Sequence, residues 1–379
     1  MTAVPNQIVP KEMRQLRSLV TADGELQLSI ELVPTPVPGP GEVLVRVEAA
    51  PINPSDLGLL IATADVSQAK RAGDTVSAPI PPATMGGLTA RIGESMPVGN
   101  EGCGTVVGAG ETPDAQALLG HLVAIVGGAS YAEYRAVSTM FLMDLPEGTT
   151  TEQGASCFVN PLTALAMVET MRSEGHTAIV HTAAASNLGQ MLNRICLAEG
   201  VPLVNIVRRP EQAAILREQG ASIICDTSQS TFMQDLTAAL TTTGATIAFD
   251  AIGGGKLVSQ ILGCMEAAAS ANAKTYSRYG SDVYKQAYIY GALDRGPTEL
   301  IRNFGFSWGI SGFLLTPFLQ KAGLEVMLRL RQRVIDELTT TFASHYTDTV
   351  SLAEAIDPDV VRKYARQATG EKFLIRPHA

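Results

Sequence analysis

The sequence predicts an α/β protein built from a β-rich part and a doubly wound parallel-sheet part. Three observations carry that reading. Many short strand-like runs separated by Gly/Pro turns fill the first 150 residues, as in a compact β-barrel-like domain. From residue 178 onward short apolar runs alternate with helical patterns, at 178–180, 202–207, 222–225, 245–250 and 286–291, the rhythm of βαβ units. A length of 379 residues with 46% hydrophobic content is enough chain for two cores.

In order, residues 1–12 read as a loose leader without the basic-then-apolar profile of a signal peptide. Residues 17–20 and 26–30 alternate apolar with polar, as half-buried strands do. Residues 34–41 are a turn by their Pro and Gly content, and 42–48 form the clearest strand, with Val43, Val45 and Val47 on one face. Next, 63–96 reads as a long segment without regular structure, which is often a lid or binding loop and is expected to shape a substrate pocket. A helix follows that Asn160 can cap, with Pro161 in its first turn, Leu162, Leu165 and Met171 on its apolar face and Gly175 at its end. Further helices are expected at 211–219, closed by Gly220, and at 232–240, and a small-and-polar insertion at 267–284. The stretch 305–319 is apolar and aromatic, but its longest apolar part is too short to span a bilayer. Residues 323–356 read as helices and 372–375 as a returning strand of the β-rich part.

A formal charge of −9 argues against nucleic-acid and anionic-membrane partners. The five cysteines are scattered without a C-x-x-C pair, which fits a reducing compartment and a cytoplasmic location. The five histidines are dispersed as well, each expected to be structural or exposed rather than a metal ligand.

The apolar run 178–180 leads into a turn of small residues and then a helix with Leu188, Met191, Leu192, Ile195 and Leu197. Such a turn lets backbone N–H groups approach a pyrophosphate. The spacing G-x-G-x-x-G is filled here by Ala184, Ser186 and Gly189, which alone is a weak signal. The next strand closes with Arg208 and Arg209, where an NAD site places an acidic residue for the ribose hydroxyls. Guanidinium groups suit a 2′-phosphate, so the cofactor reading is NADPH; the alternative is a pair of solvated arginines at a strand end.

Several stretches together resemble the medium-chain dehydrogenase/reductase superfamily. They are PGPGEVLVRVEAAPINPSD at 38–56, VGNEGCGTVVGAG at 98–110, GGASYAEY at 127–134, VNPLTA at 159–164, FDAIGG at 249–254, GFLL at 312–315 and GEKFLI at 370–375. The resemblance implies a GroES-like catalytic domain made of 1–155 with 316–379, and a Rossmann domain at 156–315, with the cofactor in the cleft between. It implies cofactor contacts from Asn160, Thr163, Ala184, Ser186, Asn187, Leu188, Gly189, Arg208, Arg209, Asp250, Ile252, Tyr290, Gly291, Phe313, Leu314 and Lys372. For Asn160 and Thr163 a helix-start role is equally open, and for Asp250 a plain βα turn.

Relatives that hold a catalytic zinc use a cysteine and a Gly-His-Glu histidine. This chain has Asn53-Pro54-Ser55-Asp56 and Gly99-Asn100-Glu101 at those places, so no metal is expected. It resembles the quinone oxidoreductase branch and the neighbouring enoyl-thioester reductases, and it lacks the tyrosine expected of the latter between Asp56 and Asn100. Asn53 is the expected catalytic residue, with Tyr134, or Tyr131, as a stand-in proton donor. Without a Lewis acid the acceptor is expected to be a conjugated small molecule, first a quinone, second an enoyl thioester or enone. A third possibility is an NADPH-binding protein without turnover. The resemblance and the apolar 305–319 stretch imply a homodimer.

Overall fold

The strand Glu42–Ile52 is the spine of the β-rich part. Val43, Val45 and Val47 are fully buried, as the alternation predicts. The computed structural model describes residues 9–271, 273 and 275–379; most of the expected leader, and Asn272 and Lys274 of the 267–284 insertion, lie outside them. The chain divides into two compact units: residues up to Val159 with Arg333–Ala379, and Asn160–Gln332.

In the first unit a seven-stranded sheet runs Leu142–Asp144, Leu122–Val126, Glu101–Ala109, Glu42–Ile52, Phe373–Arg376, Asp348–Ser351, with Tyr134–Ser138 also paired to the spine. A five-stranded antiparallel sheet runs Lys70–Ala72, Thr75–Pro79, Glu25–Pro34, Glu12–Val20, Met96–Pro97. These are two sheets rather than one closed barrel. Leu16, Leu28, Val45, Val47, Ile125 and Ile375 belong to one shared core, whose burial is the main stabilising term. The segment 63–96 is not the structureless loop the composition suggests. It supplies the strands Lys70–Ala72 and Thr75–Pro79 and the 3-10 turns Val66–Gln68 and Pro82–Arg91. Its Pro and Gly residues hid the pairing of Thr75–Pro79 with Glu25–Pro34.

The second unit holds a parallel six-stranded sheet in the order Ile224–Asp226, Leu203–Val207, Ile179–His181, Ile247–Asp250, Lys285–Ile289, Trp308–Gly312. Numbered along the chain, this is 3-2-1-4-5-6, the doubly wound order with its reversal between Ile179–His181 and Ile247–Asp250. Val180, Val204, Ala248, Phe304 and Ala287 pack in its core. The helix that Asn160 was expected to cap runs Val159–Ser173, with Asn160 inside its first turn rather than ahead of it. The helix Leu257–Ala271 reaches into the expected insertion, because its run of alanines favours helix over loop. Beyond it, Ser281 is tied to the buried Glu266 carboxylate through its N–H and hydroxyl, both at 2.7 Å, and Lys285 Nζ reaches the same carboxylate at 2.6 Å. Burial opposes that charge, yet the Lys285 and Ser281 donors hold the Glu266 pKa down at about 2. No helix among the described residues is long and apolar enough to cross a membrane.

Candidate active site

The first strand of the parallel sheet ends at His181 and the helix Asn187–Glu199 follows after a tight turn. Ser186 caps that helix, its Oγ accepting from the Gly189 N–H at 3.1 Å, so a helix N-terminus is formed where an anion can meet backbone N–H groups. Gly189 has no substitute: a Cβ there would collide with the Ala184 carbonyl. Small residues at 184 and 189 are therefore what allow the helix to approach the strand this closely. Ala183 takes a left-handed conformation, φ 50°, unusual for a residue with a Cβ. The turn brings Ala184, Ser186, Asn187, Leu188 and Gly189 together as expected. Arg208 and Arg209 follow the strand Leu203–Val207 directly and are both exposed.

Asp250 is turned inward. It is 1% exposed; Thr182 Oγ1 donates to its Oδ1 at 2.7 Å and Gly253 N to its Oδ2 at 2.8 Å. Of the two readings left open for Asp250, the hydrogen bonds favour the turn: the carboxylate organises it from within. Ile252 N also reaches Oδ1 at 3.2 Å. Next to it Gly291 packs so tightly that a Cβ would sit 2.5 Å from Ala251 O. Beyond the turn Gly253–Gly255 pairs in parallel with Asp294–Thr298, a contact with no periodic signal in either stretch. Tyr290 is committed to His181, with its hydroxyl 2.8 Å from Nε2 and the rings stacked 5.7 Å apart. Burial pushes the His181 pKa down to about 3, so the imidazole is neutral. Phe313 packs against Phe249 and Tyr288, and its N–H is spent on Ile289 O at 2.9 Å, while Leu314 is exposed. Asn160 and Thr163 are both 8% exposed near the start of their helix.

A second constellation lies wholly in the first unit. Asn53 follows the spine strand and precedes the turn Pro54–Asp56. Its Nδ2 donates to Glu101 Oε1 at 2.7 Å, and Glu101 Oε2 accepts from Phe158 N and Val159 N, each at 2.9 Å. Asp56 accepts from Asn53 N at 2.7 Å and Asn100 N at 2.8 Å. Burial raises the Asp56 pKa to about 7 against these donors, and Glu101 adds to the rise. Burial likewise raises Glu101, while Lys372 and the two backbone N–H groups pull it back. Burial lowers the Lys372 pKa to about 8, countered by Glu101 and Asp56. Two polar atoms here are buried and lack a hydrogen-bond partner: Asn53 Oδ1 and Lys372 Nζ. Sequence reasoning quoted Glu101 and Asp56 inside motifs but gave them no role; an acidic residue buried on a strand was the signal it passed over.

The two tyrosines expected as stand-in proton donors both lie in packed surroundings. Tyr134 packs with Met13, Leu44 and Ala132, edge-on to His378 at 5.4 Å, in a cluster apart from Asn53. Tyr131 is fully buried and its hydroxyl donates to Pro51 O at 2.9 Å. Burial raises the Tyr131 pKa well above its usual value, and Asp56 adds to this, which suits a packing role. All five cysteines are buried and free.

No family model matches the chain. Over 195 residues, 51% of its length, it is 27% identical to prostaglandin reductase-3 of Mus musculus. Over 138 residues, 36% of its length, it is 30% identical to quinone oxidoreductase of Pseudomonas aeruginosa. The matched stretches span 44% and 42% of those two relatives, so the chain covers less than half of either. Among solved structures, an NADPH:quinone reductase from Mesorhizobium loti is 27% identical, with a TM-score of 0.74 over 98% of this chain and 100% of that one. This likeness runs end to end, and it agrees with the expected resemblance to the quinone oxidoreductase side of the medium-chain dehydrogenase/reductase superfamily.

Proposed function

We propose that the chain is an NADPH-dependent oxidoreductase that reduces a quinone or a similar conjugated carbonyl acceptor without zinc. The observation that carries the reading is the pair Arg208 and Arg209, exposed at the end of the second strand of a doubly wound sheet, beside a Ser186-capped helix whose turn admits no Cβ at Gly189. Two guanidinium groups fit a 2′-phosphate and the turn fits a pyrophosphate. Bound NADPH would supply the hydride equivalent.

The chain's own groups bind, orient and exclude water. Ala184, Ser186, Asn187, Leu188 and Gly189 hold the phosphates through the turn, and Arg208 and Arg209 select the phosphorylated ribose. Asn160, Thr163, Ile252, Tyr290, Gly291, Phe313, Leu314 and Lys372 are the proposed remaining contacts, and Asp250 serves by shaping the turn. Lys372 Nζ, buried over the Tyr346 ring and without a hydrogen-bond partner, suits an acceptor group on a ligand. With Tyr131 and Tyr134 committed to packing, protons reach the product from water, which favours a quinone over an acceptor that needs a positioned acid. Zinc independence rests on the donors present: Asn100 Nδ2 donates to Ser55 Oγ at 3.1 Å, and both Asp56 oxygens accept backbone N–H groups. An enone or enoyl-thioester acceptor is the second reading, favoured by the prostaglandin reductase-3 likeness.

NADPH oxidation should be followed with a benzoquinone, a naphthoquinone, a short enone and an enoyl thioester, each repeated with NADH. Quinone turnover with NADPH and without bound metal is expected. Turnover of the thioester alone would replace the reading with its alternative, and binding of NADPH without any turnover would leave a cofactor-binding protein. The small-molecule acceptor is the expected partner, with a second copy of the chain, since Trp308–Gly312 is an open sheet edge near exposed Ile301 and Phe306. Light scattering at micromolar concentration should give a dimer, and a monomer would remove that part. The buried free cysteines support a reducing, cytoplasmic setting.

A further inference from the structure

The fold dictates the polarity of Asn53. The two ends of its amide are alike in shape but opposite in chemistry, one a double donor and the other an acceptor. Which end faces outward depends on Glu101. Glu101 Oε2 is already occupied by Phe158 N and Val159 N, and Oε1 meets the Asn53 amide at 2.7 Å. An ionised carboxylate only accepts, so Asn53 must turn its NH2 toward Glu101. Its Oδ1 is then left buried and without a hydrogen-bond partner, the neighbouring Asp56 N–H being spent on the Asn53 main-chain oxygen at 2.9 Å. Buried acceptors are rarely left unpaired, so the position calls for a donor that the chain does not supply. Burial raises the Glu101 pKa, while Lys372 and the two backbone N–H groups pull it back toward the ionised form.

We propose that Glu101 is a positioning residue that fixes Asn53 as a hydrogen-bond acceptor for a hydroxyl or amide N–H on the bound reactants. This rests on the reading of the chain as an NADPH-dependent reductase with Asn53 at its reacting end. The donor has two possible sources, the cofactor's carboxamide or ribose hydroxyl, and a hydroxyl formed from the acceptor.

The test inverts the pair and then restores it. In Glu101→Gln the side-chain carbonyl keeps the Phe158 and Val159 N–H groups, so its NH2 faces Asn53. Asn53 must then turn over and present a donor outward. In Asn53→Asp two carboxylates face each other. In the double variant the glutamine NH2 donates to the carboxylate introduced at position 53. The second oxygen of that carboxylate faces outward, so the acceptor and the single negative charge both return. For each protein three quantities are measured: the NADPH dissociation constant without acceptor, kcat and KM for quinone reduction, and the melting temperature.

Each single variant should lose about ten- to hundredfold in one arm, and the double variant should return to within a few-fold of the parent. Loss in NADPH affinity places the donor on the cofactor. Unchanged affinity with a changed KM or kcat places it on the acceptor. A double variant that melts like the parent yet stays as impaired as Glu101→Gln would overturn the proposal, as would a Glu101→Gln protein equal to the parent in both arms. If Asn53→Asp does not fold, Glu101→Gln against the double variant carries the same comparison. A parent protein that neither binds nor oxidises NADPH would instead remove the reductase reading itself.

Discussion

The two units build their proposed sites by opposite means. In the second, the ligand is met by a turn of small residues and by exposed arginines, all within the first βαβ unit, 179–209. In the first, Asn53 with Asp56, Glu101 and Lys372 come from three separate stretches of the chain and are all at most 8% exposed. A phosphate brings its own strong charge, so backbone N–H groups and solvated guanidinium groups suffice to hold it. A centre that must orient uncharged groups has to be dry, and dryness displaces its own titrations: burial drives Asp56 up to about 7 and Lys372 down to about 8. The contrast is between a site made of absent side chains and a site made of buried ones.

The largest expected effect strikes the first kind of site. In Gly189→Val the new side chain meets the Ala184 backbone, which cannot rotate away as a side chain can. A loss of about 3 kcal/mol is expected, read as a melting temperature lowered by roughly 6 to 12 °C. A melt within a degree of the parent would mean that the turn is not closely packed. The arginine pair comes next. Arg208→Ala with Arg209→Ala should weaken NADPH by about thirtyfold, on the scale of about 2 kcal/mol for charged hydrogen bonds, and leave NADH nearly unchanged. Equal losses for the two cofactors would break the assignment of the 2′-phosphate to these residues.

The buried site is probed through pH. The Asp56 pKa is raised from 3.8 to about 7, mainly by burial, so the folded protein holds that proton more tightly than the unfolded chain does. Its contribution favours folding below the unfolded pKa and is lost as pH rises through about 7. Asp56→Asn lacks that slope. Relative to the parent, the variant should therefore gain about 2 kcal/mol between pH 5 and pH 8, whatever fixed cost it bears for the hydrogen bond lost to Asn53 N or Asn100 N. Parallel melting curves across that range would show that Asp56 is not the titrating group.

The same contrast explains what the sequence could and could not disclose. The turn at 182–189, the strand ends and Arg208 and Arg209 were legible because each depends on neighbours within one βαβ unit. The alternation of 42–48 predicted a buried face that the spine strand has. Glu101 was not legible as a hub, because its partners at 53 and 158–159 lie far from it in the chain and meet it only in the folded unit. The surroundings of Tyr134 were hidden for a related reason: alternation says that a strand has two faces but not what covers them, and here Met13, Leu44 and His378 do. The partners of Asp250, Thr182 and the 252–253 N–H groups, are likewise set by the turn's folded shape and not by any pattern in its sequence.

The smallest effect returns to the turn. Ala183 lies at φ 50°, where a Cβ costs about 1 kcal/mol or somewhat more. Replacing it with Gly removes that strain but gives the unfolded chain more freedom, which costs about 0.4 to 1 kcal/mol. The net gain in Ala183→Gly is therefore below about 1 kcal/mol, a rise in melting temperature of about 4 °C or less. Ala62 and Ala129 in the first unit share the left-handed backbone, at φ 49° and 58°, and the same exchange there should give the same small gain. A clear gain at 62 and 129 with a loss at 183 would show that the Ala183 methyl group contributes packing to the turn. That would sharpen the contrast, since even the site made of small residues would then depend on one side chain being present.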